Sequence, residues 1–346
     1  MNFMKKYVPC LTVCTAVALP AWFLDSLAPV IGGPVIAIVS GMLITIFWKD
    51  KGTSATGITF VSKKVLQWAV VLLGFGLNYT VVLETGRQSL PIIICTVSIS
   101  LLTAFFLQKA MHIPVNISIL VGVGSSICGG SAVAATAPVI EASDEEVAQA
   151  ISVIFFFNVI AALTFPLLGR MVGFDTALGE GFGIFAGTAI NDTSSVTAAA
   201  ATWDTMWNLG SATLDKAVTV KLTRTLAIIP ITFILALLRT RAAKKNGGTG
   251  TQVNIRKIFP FFILYFIAAS LITTIALKFG ISASVFTPLK TLSKFLIVMA
   301  MAAVGLNSDI ITLVKTGGKP LLMGACCWLG IIAVSLFMQK VLAGVF

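Results

Sequence analysis

The chain has 346 residues, of which 57% are apolar without counting glycine and only 11% are charged, with a mean hydropathy of +1.00 and a net charge of +11. Soluble domains carry about 25% charged residues, so two or three soluble domains are excluded and a polytopic membrane protein is expected. The positive balance does not call for nucleic acid, because the basic residues sort by position along the chain.

About 20 apolar residues cross a bilayer as a helix, and the hydropathy pattern predicts about eleven such helices. They are expected over residues 8–24, 28–48, 62–80, 90–110, 115–140, 146–170, 177–203, 213–239, 258–278, 284–306 and 320–343. Unbroken runs such as Ile258–Leu277 speak for an all-α fold. A membrane barrel would show alternating segments of about ten residues. The whole of 1–346 reads as one transmembrane domain.

The first helix reads as an uncleaved span rather than a signal peptide, since no clean cleavage motif follows it. Trp22, Trp48, Trp203 and Trp207 fall at predicted helix ends, where indoles anchor at the membrane interface. Gly76-Leu77-Asn78 followed by Thr85-Gly86 resembles Gly305-Leu306-Asn307 followed by Thr316-Gly317, a pairing expected of inverted repeats. His112 reads as a loop residue. The six cysteines, Cys10, Cys14, Cys95, Cys128, Cys326 and Cys327, have neither zinc-site nor disulfide spacing and read as apolar thiols, with Cys128 set among glycines.

Two predicted helices carry unusual interiors. Gly124 through Ala135 aligns with Gly187 through Ala198, and Gly129-Gly130 in the first copy matches Asp192-Thr193 in the second. Glycine pairs and an Asn191-Asp192-Thr193 stretch make poor helix, while Ser131, Asp192 and Ser194 are cap residues leading into alanine-rich runs. Irregular backbone at membrane depth is tolerated only around protein or a wet cavity. The expectation is two discontinuous helices whose second halves start near mid-membrane and offer N–H groups to an anion. Asn158, with Pro166 beyond it, is a candidate to line the same cavity. Lys221 and Arg224, three apart on one face of the next helix, are intramembrane cations and so a functional hypothesis by default. Arg224 offers a fork for an oxyanion, Lys221 a compact charge. Asp192 is a cap, an ion-pair partner, or a carboxylate that takes up a proton or sodium ion.

Residues 239–257, basic at both ends and rich in glycine, read as a cytoplasmic linker loop. Lys290 and Lys294 read as interfacial. With the N-terminus inside, the cytoplasmic connections collect Lys5, Lys6, Lys49, Lys51, Lys63, Lys64, Lys109, Arg170, Arg239, Arg241, Lys244, Lys245, Arg256, Lys257, Lys315 and Lys319, which is 16 of the 24 basic residues. The positive-inside rule then puts the N-terminus in the cytoplasm and Phe346 outside.

Taken in order, the stretch Gly124–Pro138, then Asn158 and Pro166, then Gly183–Val196, then Val220-Lys221-Leu222-Thr223-Arg224 resembles the YeiH-type sulfate exporter family of bacterial inner-membrane proteins. Leu72-Leu73-Gly74-Phe75 and Ala303-Val304-Gly305-Leu306 also fit, while Asn191 and Ser195 depart from the family pattern. The resemblance implies a secondary transporter with inverted repeats and crossed broken helices. The expected function is alternating-access transport of a small oxyanion, held by Lys221, Arg224, Ser131, Gly129, Gly130, Asn191, Thr193, Ser194 and Asn158, with Asp192 for coupling. A monovalent cation/proton antiporter using Asp192 is the alternative. The implied partners are the anion, a proton or sodium ion and the lipid bilayer, with a homodimer left open. No cofactor, metal or enzymatic role is expected.

Overall fold

The computed structural model describes residues 3–27, 33–48, 51–52, 54–245, 261–307 and 318–342. In chain order the helices are α1 (Phe3–Leu27), α2 (Gly33–Phe47), α3 (Ser54–Phe60), a π-helical turn (Val61–Val65), α4 (Leu66–Gly74), α5 (Tyr79–Met111), α6 (Val115–Ser126), α7 (Gly130–Ile140), α8 (Asp144–Val172), α9 (Glu180–Ala189), α10 (Thr193–Trp207), α11 (Ala212–Thr225), α12 (Ile228–Lys245), α13 (Phe261–Lys278), α14 (Thr287–Asn307) and α15 (Gly318–Leu342). The described residues contain no strand. Seven helices among them are long and apolar enough to cross a membrane, and four shorter apolar helices accompany these.

Local chemistry sets several boundaries. Asn78 caps α5 by accepting from the Thr80 amide at 3.0 Å. Ser143 and Glu146 form a reciprocal capping box at the start of α8, whose first turn also holds Asp144 and Glu145.

The helices sort into two groups. In one, α1, α2, α3, α4, α13 and α14 pack on one another; in the other, α5 to α12 pack with α15. The groups meet where α10 lies on α2 and α14, and where α13 lies on α5. In the first group α2 and α14 approach through Gly41 and Gly305, leaving no room for a Cβ on either against the facing backbone. Small residues serve membrane helices in this way. Thr45 Oγ1 closes the contact by donating to the Leu306 carbonyl at 2.8 Å.

Several expectations need correction. The helix expected over 62–80 runs instead from Ser54 to Gly74, continuous through the π turn. Lys63 and Lys64 therefore sit in the middle of a helix, not in a cytoplasmic connection. The helix expected to start at residue 90 begins at Tyr79. Trp203 is not an interfacial anchor: it is fully buried and stacks on Phe182 with ring centroids 4.2 Å apart. Cys10, Cys14, Cys128 and Cys327 are buried free thiols, as the apolar reading expects. Within the linker expected over 239–257, α12 continues to Lys245, and residues 246–260 lie outside the described residues, as do Lys49, Lys315, Thr316, Gly317 and Phe346.

Candidate functional site

The site is built where two broken helices meet. The first break separates α6 from α7 and the second separates α9 from α10. In the alignment of the two segments, Ser126 pairs with Ala189 and Gly130 with Thr193, both 63 positions apart. The two helices thus stop and restart at matching residues. In the first break Gly129 adopts φ +70°, ψ −132°, a conformation open to glycine and costly for other residues. A Cβ there would lie 3.0 Å from Asp192 Oδ1 and 3.5 Å from Asn158 Nδ2. Gly129 is therefore the point at which the first break, the second break and α8 come together. In the second break Ile190 and Asp192 are extended, and Asp192 caps α10 by accepting from the Ser194 amide at 3.0 Å and from Ser194 Oγ in a short hydrogen bond.

Each break leaves a carbonyl end and an amide end that have no partner within their own helix. The carbonyl ends are closed from α11. Lys221 Nζ donates to Ile127 O at 2.6 Å, to Ile190 O at 3.0 Å and to Asn191 O. Arg224 donates from Nε to Ser126 O at 2.7 Å, from Nη2 to Ser125 O at 3.0 Å, and from Nη1 to Thr188 O and Ile190 O. Both side chains are wholly buried. Three protons of Lys221 meet three carbonyls, so its hydrogen-bonding capacity is used up. Two cations set against two negative helix ends are what the helix dipole favours.

Residues of the amide ends line open space, with the Ser194 amide already held by the Asp192 carboxylate. Gly130, Ser131, Thr193 and Ser194 line a cavity of about 180 Å³ together with Asp192, Lys63, Gln67 and Phe262. A larger cavity of about 600 Å³ shares Lys63, Gly130, Ser131 and Thr193 and adds Cys128, Lys64 and Tyr265. Both lie between the two helix groups. Beside them Asn158 is 2% exposed and Asn191 1% exposed. Neither amide atom of Asn158 has a hydrogen-bond partner, and Asn191 Oδ1 also lacks one. Buried polar groups are almost always paired, and each one left unpaired costs about 1–3 kcal/mol. The orphaned Asn158 amide stands at the first break, 3.5 Å from where a Cβ on Gly129 would lie, and neither asparagine lines either cavity.

All ten residues singled out in the sequence thus meet at one crossing. Gly129, Gly130, Ser131, Asn191, Asp192, Thr193 and Ser194 form the breaks. Asn158 stands beside Gly129, while Lys221 and Arg224 stand behind, turned onto carbonyls rather than toward the cavity. Lys63 is the residue that sequence reasoning placed elsewhere. Its signal was a Ser62-Lys63-Lys64 stretch set between the apolar pairs Phe60-Val61 and Val65-Leu66, with no glycine or proline between them.

The family model described as Conserved hypothetical protein 698 matches residues 9–324. The chain is 59% identical over 341 residues to a UPF0324 membrane protein of Streptococcus pyogenes serotype M18, covering 98% of each. It is 55% identical over 338 residues to one of Streptococcus agalactiae serotype V, covering 98% of each. With one of Fusobacterium nucleatum it shares 52% identity over 345 residues, covering 96% of this chain and 97% of the relative. The matched region takes in both breaks and α11, in agreement with the YeiH-type resemblance of those segments. The chain belongs to the Conserved hypothetical protein 698 family, the UPF0324 or YeiH-type membrane proteins.

Proposed function

We propose that the chain is a secondary transporter of the bacterial plasma membrane that carries a small inorganic or sulfur-containing oxyanion, of the sulfate or sulfite kind, by alternating access. One observation carries this reading: residues of two helix amide ends, Gly130, Ser131, Thr193 and Ser194, converge on a cavity between two helix groups. Helix N-termini are ready anion sites, and transporter sites form where half-helices meet at a repeat interface. Lys221 and Arg224 act from behind, neutralising the carbonyl ends so that the amide ends dominate the field in the cavity. Asp192 is the coupling carboxylate, for a proton or a sodium ion. The ends of α4 and α14 carry the like sequences Gly76-Leu77-Asn78 and Gly305-Leu306-Asn307, which supports two related halves in inverted orientation.

The export direction and an inner-membrane location follow from the family resemblance. The cytoplasmic N-terminus follows from charge, with Lys63 and Lys64 now set aside. Transport is tested by radiotracer exchange in proteoliposomes with sulfate, sulfite, thiosulfate and taurine. Saturable exchange of at least one oxyanion supports the reading, and linear conductance marks a channel instead. The Asp192 carboxylate on the wall of the smaller cavity also favours a second reading, a monovalent cation/proton antiporter. Proton-dependent cation flux without anion flux would establish that one.

A further inference from the structure

We infer that Lys63 is a substrate-binding residue: the cation on the facing helix group that completes the oxyanion site and sets its preference for a doubly charged anion. This rests on the oxyanion reading above and adds a residue, a charge count and a selectivity to it.

Lys63 lies in the 21-residue helix Ser54–Gly74. At 1.5 Å per residue it is roughly 14 Å from one end and roughly 16 Å from the other. A lysine at that depth is costly and marks a functional position by default. The helix also widens there, since Val61–Val65 forms a π turn. Such turns are rare and gather at functional sites.

The surroundings supply the function. Lys63 lines the 180 Å³ cavity with the amide ends of α7 and α10, and the larger cavity beside it. Among the described residues its ammonium group makes no ion pair and no hydrogen bond. Its neighbour Lys64 lines only the larger of these two cavities and donates to Gln67 Oε1 at 3.3 Å. Of the two lysines, the one that lines both cavities is the one whose ammonium has no partner.

Charge completes the argument. The two amide ends and two carbonyl ends contribute opposite half-charges that cancel. Lys221 and Arg224 add two positive charges, and Asp192 removes one when ionised. The second helix group alone therefore presents +1, which suits a monoanion. Lys63 raises the total to +2, which matches a dianion with Asp192 still ionised.

The test uses the purified full-length protein in neutral-lipid proteoliposomes, with sulfate as the dianion and methanesulfonate as a monoanion of similar size. Equilibrium binding is read by competition against labelled sulfate and by anion-dependent thermal shift, so that a slow carrier still reports. Lys63→Gln is expected to weaken sulfate at least tenfold and methanesulfonate less than threefold. Lys63→Arg should stay within threefold of wild type for both, and Lys64→Gln should change neither. The Lys63 side chain is exposed, so these variants keep the fold. A wild-type sulfate-to-methanesulfonate ratio in Lys63→Gln overturns the inference, as does an equal loss of both anions. Wild-type protein that binds neither anion overturns the oxyanion reading itself, and this inference with it.

Discussion

Replacing Arg224 by alanine distinguishes a helix-end cap from an anion ligand. The guanidinium is wholly buried and holds Ser125 O, Ser126 O, Thr188 O and Ile190 O. Ile190 O keeps its bond from Lys221 at 3.0 Å, which leaves three carbonyls bare at a depth where water does not replace the lost donor. At about 1–3 kcal/mol for each unsatisfied group the variant loses about 3–9 kcal/mol. Whole proteins are stable by only about 5–15 kcal/mol. With about 2 °C per kcal/mol for a large chain, the midpoint should fall by about 6 °C or more. The assay is thermal denaturation of a fluorescent fusion in detergent, followed by size-exclusion chromatography, without any substrate. Arg224→Lys should fall between, because a lysine offers three donors without the planar fork. A variant as stable and monodisperse as wild type would refute the cap. If that stable variant also failed to bind anions, Arg224 would touch the anion directly.

Gly305→Ala should destabilise the protein, because a Cβ there meets the Ile38 backbone, whereas Gly318→Ala meets nothing within 4 Å and should be neutral in the same thermal assay. Cys128 lines the larger cavity although it is only 3% exposed, so a membrane-impermeant thiol reagent should label it faster than Cys95 and bound anion should slow the labelling. Equal inertness of the two thiols would remove Cys128 from the water path. Lys290 of α14 pairs with Asp215 of α11 at 3.1 Å, joining the two helix groups roughly 21 Å along α14 from Val304 at the cavity. Asp215→Asn should loosen that end and raise the labelling of single cysteines placed beside it; unchanged labelling would show that the pair does not latch the groups.

The breaks were legible because their chemistry is local. Glycine at positive φ, a cap residue and an alanine run act within a few residues of one another, and the two copies report the same event independently. Asn158 was legible for a related reason, as an amide within an apolar run. What Lys221 and Arg224 touch was not legible, since spacing fixes the helix face they share and only tertiary packing decides whether that face meets carbonyls or a cavity. Lys63 was misplaced because hydropathy treats a lysine pair as the end of a span. The start of that helix at Ser54 lies in a stretch of Ser, Thr and Gly with little hydrophobic signal, and a π turn has no sequence signature as plain as a proline or a glycine pair. Trp203 misled in the same way: an indole at a helix end reads as an anchor unless its ring partner, here Phe182, is known.

In the proposed transport cycle Asp192 is the residue on which coupling turns, and the two helix groups give it a specific part. Asp192 belongs to the group holding both breaks, Lys63 to the other. If the proposed alternating access moves one group against the other around the bound substrate, Lys63 would separate from the amide ends during the transition and the site would fall from +2 to +1. A proton taken up by Asp192 restores +2 and keeps a dianion neutralised while the site is in transit. Net sulfate transport, which needs that proton, should therefore fall as pH rises. Asp192→Asn preserves the cap of α10, because asparagine caps as well as aspartate, and it fixes the charge that protonation would supply. That variant should bind sulfate more tightly, since one unit charge acting on a dianion at about 6 Å and an effective dielectric of 20 contributes about 5.5 kcal/mol, and its transport should lose its pH dependence. The discriminating measurement is sulfate affinity against pH in both proteins. Affinity that falls with pH in the wild type and is flat in Asp192→Asn would place the proton in the binding step and leave Lys63 outside the charge count. Loss of all binding in Asp192→Asn would leave the carboxylate a structural cap, with coupling to be sought at another group.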